Sequence, residues 1–267
     1  MAVCYLPSPS NLPSFYLSHK SSMSNPNQTT AMPNIHALIV AAGVGKRFGG
    51  SVPKQYTCID GQTVLQHSVA ALAQVAALVR CHVVIARDDV FAPTLDFALP
   101  IHWVEGGAER MDSVRHGVQA IWQAGFDSAD DWVLIHDAAR PCVQAADIAR
   151  LIAQATQHPA GGLLAVPVRD TVKRATVQNG QTLAATTLAR HELWLAQTPQ
   201  LFPIGKLINY LEQAQTLGLG FTDEASLFEH FAQNTGEYPL LVEGSHSNIK
   251  LTFAEDIVFA KAWLPRV

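Results

Sequence analysis

The sequence predicts an α/β fold, one domain built on a mostly parallel central sheet covered by helices on both faces. Three observations carry this. From His36 onward, short apolar runs alternate with stretches of helical spacing, the strand–helix–strand rhythm of a wound sheet. The runs are continuous, as in strands buried on both faces, and lack the in–out alternation of a half-exposed sheet. The chain of 267 residues is 48% apolar and 15% charged, so it can bury one large core or two small ones.

The elements follow in order. Residues 1–34 are rich in Ser, Pro and Asn, contain no acid and carry Lys20 as their one Lys or Arg. Such a composition cannot bury enough apolar surface to offset its ordering entropy, so a disordered extension is expected ahead of a domain at 35–267. It lacks the apolar stretch of a secretory signal. Its Ser content and lack of acids suit a plastid transit peptide, but it has no Arg; an over-extended start, with Met23 or Met32 as the first residue, is the simpler reading. Residues 35–40 form an apolar run that breaks into Ala41-Ala42-Gly43-Val44-Gly45-Lys46-Arg47. Residues 63–78 have helical spacing through Val64, Leu65, Leu72 and Val75. Strands are expected at 83–86, 101–104, 132–135, 162–168 and 238–242, and helices at 111–123, 148–155 and 204–217. Asn179-Gly180 between extended segments signals a hairpin within 175–188, too small to be stable alone and so expected to pack on something, such as another subunit. Thr222-Asp223-Glu224-Ala225 reads as an N-cap followed by first-turn acids, so a helix begins there. A last helix starts near Ala254.

The glycine-rich turn after residues 35–40 is the first candidate site. Gly43 and Gly45 let a ligand approach the main chain, successive N–H groups there form a concave nest for an anion, and Lys46, Arg47 and Lys54 add full charges. A P-loop is excluded, because Val40 and Arg47 stand where it needs Gly and Ser or Thr. A dinucleotide fingerprint fails because Phe48 stands in place of its third glycine, unless that glycine is shifted to Gly49. An ordinary strand-to-helix turn with a solvated basic face is the plain alternative. In open α/β sheets ligands collect beyond the carboxyl ends of strands. Four expected strands end in suitable segments: 42–45, 106–107, 137–141 and 169–171. Together they would make one crevice of glycines, a carboxylate and cations, suited to a phosphate-handling enzyme.

Several classes are excluded. A net charge of −4 argues against a broad nucleic-acid surface, so cations that bind phosphate must be concentrated locally. No stretch approaches the ~20 apolar residues of a membrane span. Cys4, Cys58, Cys81 and Cys142 are scattered without a C-x-x-C pair, and the 11 His show no ligand spacing. This fits reduced thiols in the cytoplasm and no structural zinc site.

In order and spacing, eight segments resemble the 2-C-methyl-D-erythritol 4-phosphate cytidylyltransferases of isoprenoid synthesis. They are 41–47, Pro53-Lys54-Gln55-Tyr56, Gly106-Gly107 with Arg110 and Ser113, 136–141, 167–171, Leu193-Trp194 with Thr198-Pro199-Gln200, 222–226 and 248–252. The resemblance covers about 36–264. It implies a single Rossmann-like nucleotidyltransferase domain with a projecting β-arm at about 169–190, in a homodimer with arm exchange. It implies CTP along Ala41, Ala42, Gly43 and Gly45, with cytosine near Ala42, Gly106 and Ser113. Arg47, Lys54, Arg190 and Lys250 would be catalytic. Asp137 would sit by the nucleotide and a metal, Mg²⁺ or another divalent cation, and Arg140, Thr171, Thr198 and Thr222 would bind the sugar-alcohol phosphate. His136 reads as a satisfied strand-end residue. Ribitol 5-phosphate as acceptor, or a nucleotide-binding module without turnover, are the competing readings. The acceptor is a phosphate monoester, about −1.5 to −2 in charge at pH 7, so no general base is needed. Catalysis is then positioning plus cationic stabilisation.

Overall fold

The computed structural model describes residues 33–43, 45, 48, 52–128 and 131–264. Lys46, Arg47 and the expected extension as far as residue 32 lie outside the described residues. In chain order the elements are β1 (Asn34–Val40), β2 (Cys58–Ile59), β3 (Gln62–Thr63), α1 (Val64–Ala73), β4 (Leu78–Ile85), β5 (Ile101–Glu105), α2 (Arg110–Gln123), β6 (Asp131–Asp137), α3 (Ala145–Ala155), β7 (Gly162–Pro167), β8 (Val172–Gln178), β9 (Gln181–Leu188), β10 (Trp194–Pro203), α4 (Ile204–Thr216), α5 (Glu224–Thr235), β11 (Leu240–Glu243) and α6 (Asp256–Trp263).

Seven strands form one sheet in the order β11-β7-β10-β6-β1-β4-β5. All pairings are parallel except those of β10, which runs antiparallel to β6 and β7. The chain winds outward from β1 through β4 to β5, then returns to place β6 on the other side of β1. The gap beyond the carboxyl ends of β1 and β6 is therefore the topological switch point, where an open α/β sheet leaves a crevice. Alternate residues of β1 serve the two faces. Ile35, Ala37 and Ile39 pack with α1 and α3, while Leu38 packs with Val114, Val118 and Ile121 of α2 and with α4 and α5. This two-sided burial is why the run is apolar throughout.

Local chemistry sets the boundaries. Thr63 and Gln66 form a reciprocal capping box that starts α1. The helix stops at Ala73, short of the expected 78, because Leu78 already belongs to β4. That strand begins five residues before the expected one: Arg80 and His82 break the apolar pattern, although His82 is buried. Asp223, not Thr222, caps α5, its carboxylate accepting from Ser226 N at 2.9 Å. β1 takes in Asn34, whose amide donates to Asp131 at 3.1 Å. β8 and β9 make the expected hairpin, with Asn179 and Gly180 at φ 50° and 76°, the left-handed pair of a type I′ turn. The hairpin is a separate two-stranded sheet with most of its side chains exposed.

Two buried histidines sit in the sheet, His36 near the amino end of β1 and His82 midway along β4. The His36 ring bonds Asp131 at 3.0 Å, packs on Phe126 and has Arg80 nearby; His82 stacks on His102, with His36 and Arg80 as its other charged neighbours. Burial pushes the pKa of His36 down despite Asp131, and that of His82 down to about 4. The unfolded chain, with histidine near 6.5, therefore takes up protons first as the pH falls. Their contribution to stability is complete above about pH 6.5 and drains away toward pH 4. Glu224, whose pKa is raised by burial, works in the opposite direction above its ordinary 4.5. Urea denaturation is expected to give a lower unfolding free energy at pH 5 than at pH 7, and equal or higher values at pH 5 would mean that these rings do not outweigh Glu224.

Candidate active site

The crevice at the switch point is a cavity of about 220 Å³. Its floor is the turn after β1, with Ala41, Ala42, Gly43 and Gly45. One wall is the start of α2, with Gly107, Ala108, Glu109, Arg110 and Ser113; another is Asp137, Ala138 and Ala139 after β6. Lys54, Gln55 and Lys250 close the remaining side. Three of the four expected strand ends thus converge, and residues 169–171 are not among the described lining residues.

Each wall is held by the chain behind it. Gln55 is buried and donates to the Ala41 carbonyl at 2.7 Å, tying the loop that carries Lys54 to the glycine turn. Gly45, at φ 63°, lies under the Lys54 stem, and an added Cβ would come within 3.1 Å of Lys54 Cγ. Lys54 Nζ donates to the Leu251 carbonyl at 2.9 Å, beside Lys250. At the other end, Gly106 fits so closely that a Cβ would stand 2.6 Å from Ala42 Cβ and 2.9 Å from Ser113 Oγ. Ser113 Oγ accepts from Gly107 N and donates to the Glu109 carbonyl.

Asp137 is the electrostatic centre. Lys250 Nζ lies 2.7 Å from Oδ2 and Arg110 Nη2 lies 3.3 Å from Oδ1. Burial alone would raise its pKa, but Arg110, Lys250 and Arg140 hold the carboxyl well below the usual range, so it is an anion at neutral pH. A chain of hydrogen bonds fixes its backbone. Asp137 N donates to Thr198 Oγ1 at 3.0 Å, and Thr198 Oγ1 lies 3.1 Å from His136 Nδ1. His136 Nε2 lies 3.1 Å from the Arg140 carbonyl. A carbonyl only accepts, so Nε2 carries the proton and Nδ1 receives the threonine hydroxyl. Burial pushes the His136 pKa down to about 4, which keeps this ring neutral.

The structure brings Lys54, Lys250, Asp137, Ser113, Ala41, Ala42, Gly43 and Gly45 around one cavity, with Gly106 against Ala42 and Ser113. Arg140 is mostly buried and spends its guanidinium on the Asn248 carbonyl at 2.7 Å and the Ala196 carbonyl at 3.4 Å. The hydroxyl of Thr198 is committed to the chain behind Asp137. Thr171, Thr222 and Arg190 are exposed and do not line the cavity; Arg190 donates to the Arg169 carbonyl at the root of the hairpin. Sequence reasoning left Arg110 and Glu224 without a role. Glu224 is fully buried and clasps Arg110 with both oxygens, at 2.6 and 3.2 Å.

Comparison with known proteins adds to this geometry. The family model described as IspD, 2-C-methyl-D-erythritol 4-phosphate cytidylyltransferase, matches residues 35–266. The 2-C-methyl-D-erythritol 4-phosphate cytidylyltransferase of Psychrobacter arcticus is 46% identical over 263 residues, spanning 87% of this chain and 92% of its own. That of Vibrio parahaemolyticus is 44% identical over 232 residues, with 86% and 95% covered. Among solved structures, a 4-diphosphocytidyl-2C-methyl-D-erythritol synthase is similar at TM-score 0.74 and 38% identity, covering 88% of this chain and all of its own. The Francisella tularensis 2-C-methyl-D-erythritol 4-phosphate cytidylyltransferase is similar at TM-score 0.70 and 34% identity, covering 86% of this chain and all of its own.

Proposed function

The chain belongs to the 2-C-methyl-D-erythritol 4-phosphate cytidylyltransferase family, and on that premise we propose how its crevice does the work. The reaction transfers the cytidylyl group of CTP to 2-C-methyl-D-erythritol 4-phosphate, giving 4-CDP-2-C-methyl-D-erythritol and pyrophosphate in non-mevalonate isoprenoid synthesis. A phosphate oxygen of the acceptor bonds to the α-phosphorus as the bond from that phosphorus to the bridging oxygen of the β-phosphate breaks. Pyrophosphate leaves with the electron pair. The acceptor is already anionic, so no proton has to move first. The difficulty is bringing two anions together, and fixed cations in a partly dehydrated crevice are the remedy.

In this reading CTP lies on the turn at Ala41, Ala42, Gly43 and Gly45. Cytosine packs near Ala42, Gly106 and Ser113, where the missing Cβ of Gly106 lets Ala42 and Ser113 close up behind the base. Lys54 stabilises charge on the phosphates, joined by Arg47, which lies outside the described residues. Lys250 meets the acceptor phosphate. Arg140 and Thr198 act from behind, holding the Asp137 wall, while Thr222 lies beyond the cavity rim. Thr171 and Arg190 reach the crevice of a second subunit through the arm at about 169–190, so the domain at 35–267 works as a homodimer. The setting is cytoplasmic, in keeping with the free thiols of Cys58, Cys81 and Cys142 among the described residues.

Asp137 fits a divalent cation such as Mg²⁺: it is one carboxylate kept anionic at the cavity wall. Among the described residues no cluster of three His, Cys, Asp or Glu offers a full protein cage. A hard cation that keeps its waters and takes phosphate oxygens suits such a sparse donor set. When bound, it neutralises phosphate oxygens. No described helix is long and apolar enough to cross a membrane.

The observation that carries the reading is Asp137 between Lys250 and Arg110 at the switch point, facing Lys54 across one cavity. Pyrophosphate release measured with CTP, ATP, GTP and UTP, each with 2-C-methyl-D-erythritol 4-phosphate and ribitol 5-phosphate, tests it. Release is expected with CTP and the methylerythritol acceptor. Release with ribitol 5-phosphate instead would reassign the acceptor, and CTP binding without release would leave a nucleotide-binding module.

A further inference from the structure

We infer that Glu224 is a positioning residue for the transfer, holding the Arg110 guanidinium in the crevice so that it meets substrate phosphate and does not collapse onto Asp137. The inference rests on the function proposed above.

Glu224 opens α5, does not line the cavity, and has no exposed surface. Its carboxylate grips both terminal nitrogens of Arg110, the fork geometry that fixes a guanidinium plane. Arg110 in turn lines the cavity and reaches Asp137 with Nη2, at a longer 3.3 Å. Glu224 cannot follow Arg110 if the arginine moves, because the start of α5 is locked. Asp223 accepts from Ser226 N at 2.9 Å. Gln200 donates to the Asp223 carboxylate at 2.9 Å and accepts from Ala225 N at 2.8 Å.

Stability alone gives little reason for this arrangement. A buried ion pair is often no more stabilising than apolar residues of the same volume, because both charges must be dehydrated. What the pair supplies is a fixed direction. Without the Glu224 charge, the strongest remaining attraction on Arg110 is Asp137, whose other oxygen already holds Lys250. A collapsed Arg110 would withdraw positive potential from the substrate side and loosen Lys250.

The test is a double-mutant cycle with Glu224→Gln and Arg110→Gln, read as pyrophosphate release from CTP and 2-C-methyl-D-erythritol 4-phosphate. Circular dichroism and melting establish that each variant is folded. Wild-type turnover under the same conditions is the separate check on the reaction itself. Glu224→Gln is expected to lower kcat/KM for CTP about tenfold or more, with KM for the acceptor changed less than about threefold. The double variant is expected within about twofold of Arg110→Gln alone, since Glu224 acts only through the arginine. Wild-type kcat/KM in Glu224→Gln, a comparable rise in the acceptor KM, or a double variant as poor as the product of the two singles would overturn the inference. Should Glu224→Gln not fold, Arg110→Lys takes its place, keeping the charge and the buried carboxylate but unable to form the fork. A loss of about tenfold then supports positioning, and an unchanged kcat/KM overturns it.

Discussion

Lys54→Ala is expected to lower kcat by about 10³-fold, about 4 kcal/mol, the scale of losing one preorganised group aimed at transition-state charge. The mutation removes a full cation from a crevice where two anions must meet. Lys250 and Arg110 both contact Asp137, and Arg140 is spent on carbonyls. The fold is expected to survive, because Lys54 lies on a short 3₁₀ turn, Lys54–Tyr56, that its neighbours anchor. Gln55 holds the Ala41 carbonyl, and the buried Tyr56 bonds Asp89. The Lys54 bond to the Leu251 carbonyl is worth about 1 kcal/mol of stability. Single-turnover pyrophosphate release with saturating CTP and acceptor, alongside a melting curve, separates the two effects. A near-normal rate would remove Lys54 from the mechanism.

What could be read from the residues alone, and what could not, divides along a physical line. Strands buried on both faces must be apolar throughout, so β1, β6 and β7 announced themselves. Turn chemistry is equally local: Asn179-Gly180 marked the hairpin, and Thr222-Asp223-Glu224 marked the start of α5 to within one residue of its cap. The turn after β1 was legible because glycines and cations follow a buried strand directly. β10 was not, because Gln197, Thr198 and Gln200 are buried polar residues whose partners are remote. Asn248 donates to the Thr198 carbonyl, Asp137 N donates to the Thr198 hydroxyl, and Gln200 is satisfied at α5. No periodicity reports a polar group satisfied from across the chain. Arg110 and Glu224 escaped for the same reason. Their segments stood out as motifs, but the pairing is made only when the fold brings the start of α5 to the start of α2. Arg110 then does for the crevice what the sequence suggested of isolated lysines.

The placement of Arg190 bears on the second large effect. The residue is exposed at the root of a hairpin that forms its own two-stranded sheet, with Val177 and Leu183 open to solvent. A free hairpin of this size is marginal in water, so a packing partner is expected. Mixing variants tests whether Arg190 and Thr171 complete the site of a second subunit, as proposed above. Lys54→Ala and Arg190→Ala homodimers should each be nearly inactive, every site bearing a lesion. In a mixed dimer built by arm exchange, one site carries both lesions and the other none. Statistical exchange makes about half of the dimers mixed, so about a quarter of all sites become intact. Mixing the two variants should therefore raise pyrophosphate release from near zero to about a quarter of the wild-type rate at equal total protein. Subunit exchange is verified with differently tagged chains. If verified mixed dimers stay inactive, Arg190 serves its own subunit or none, and the shared site is lost. If recovery depends on the mixing ratio as the product of the two fractions, the crevice is made by two chains, and its cations are complete only when both are present.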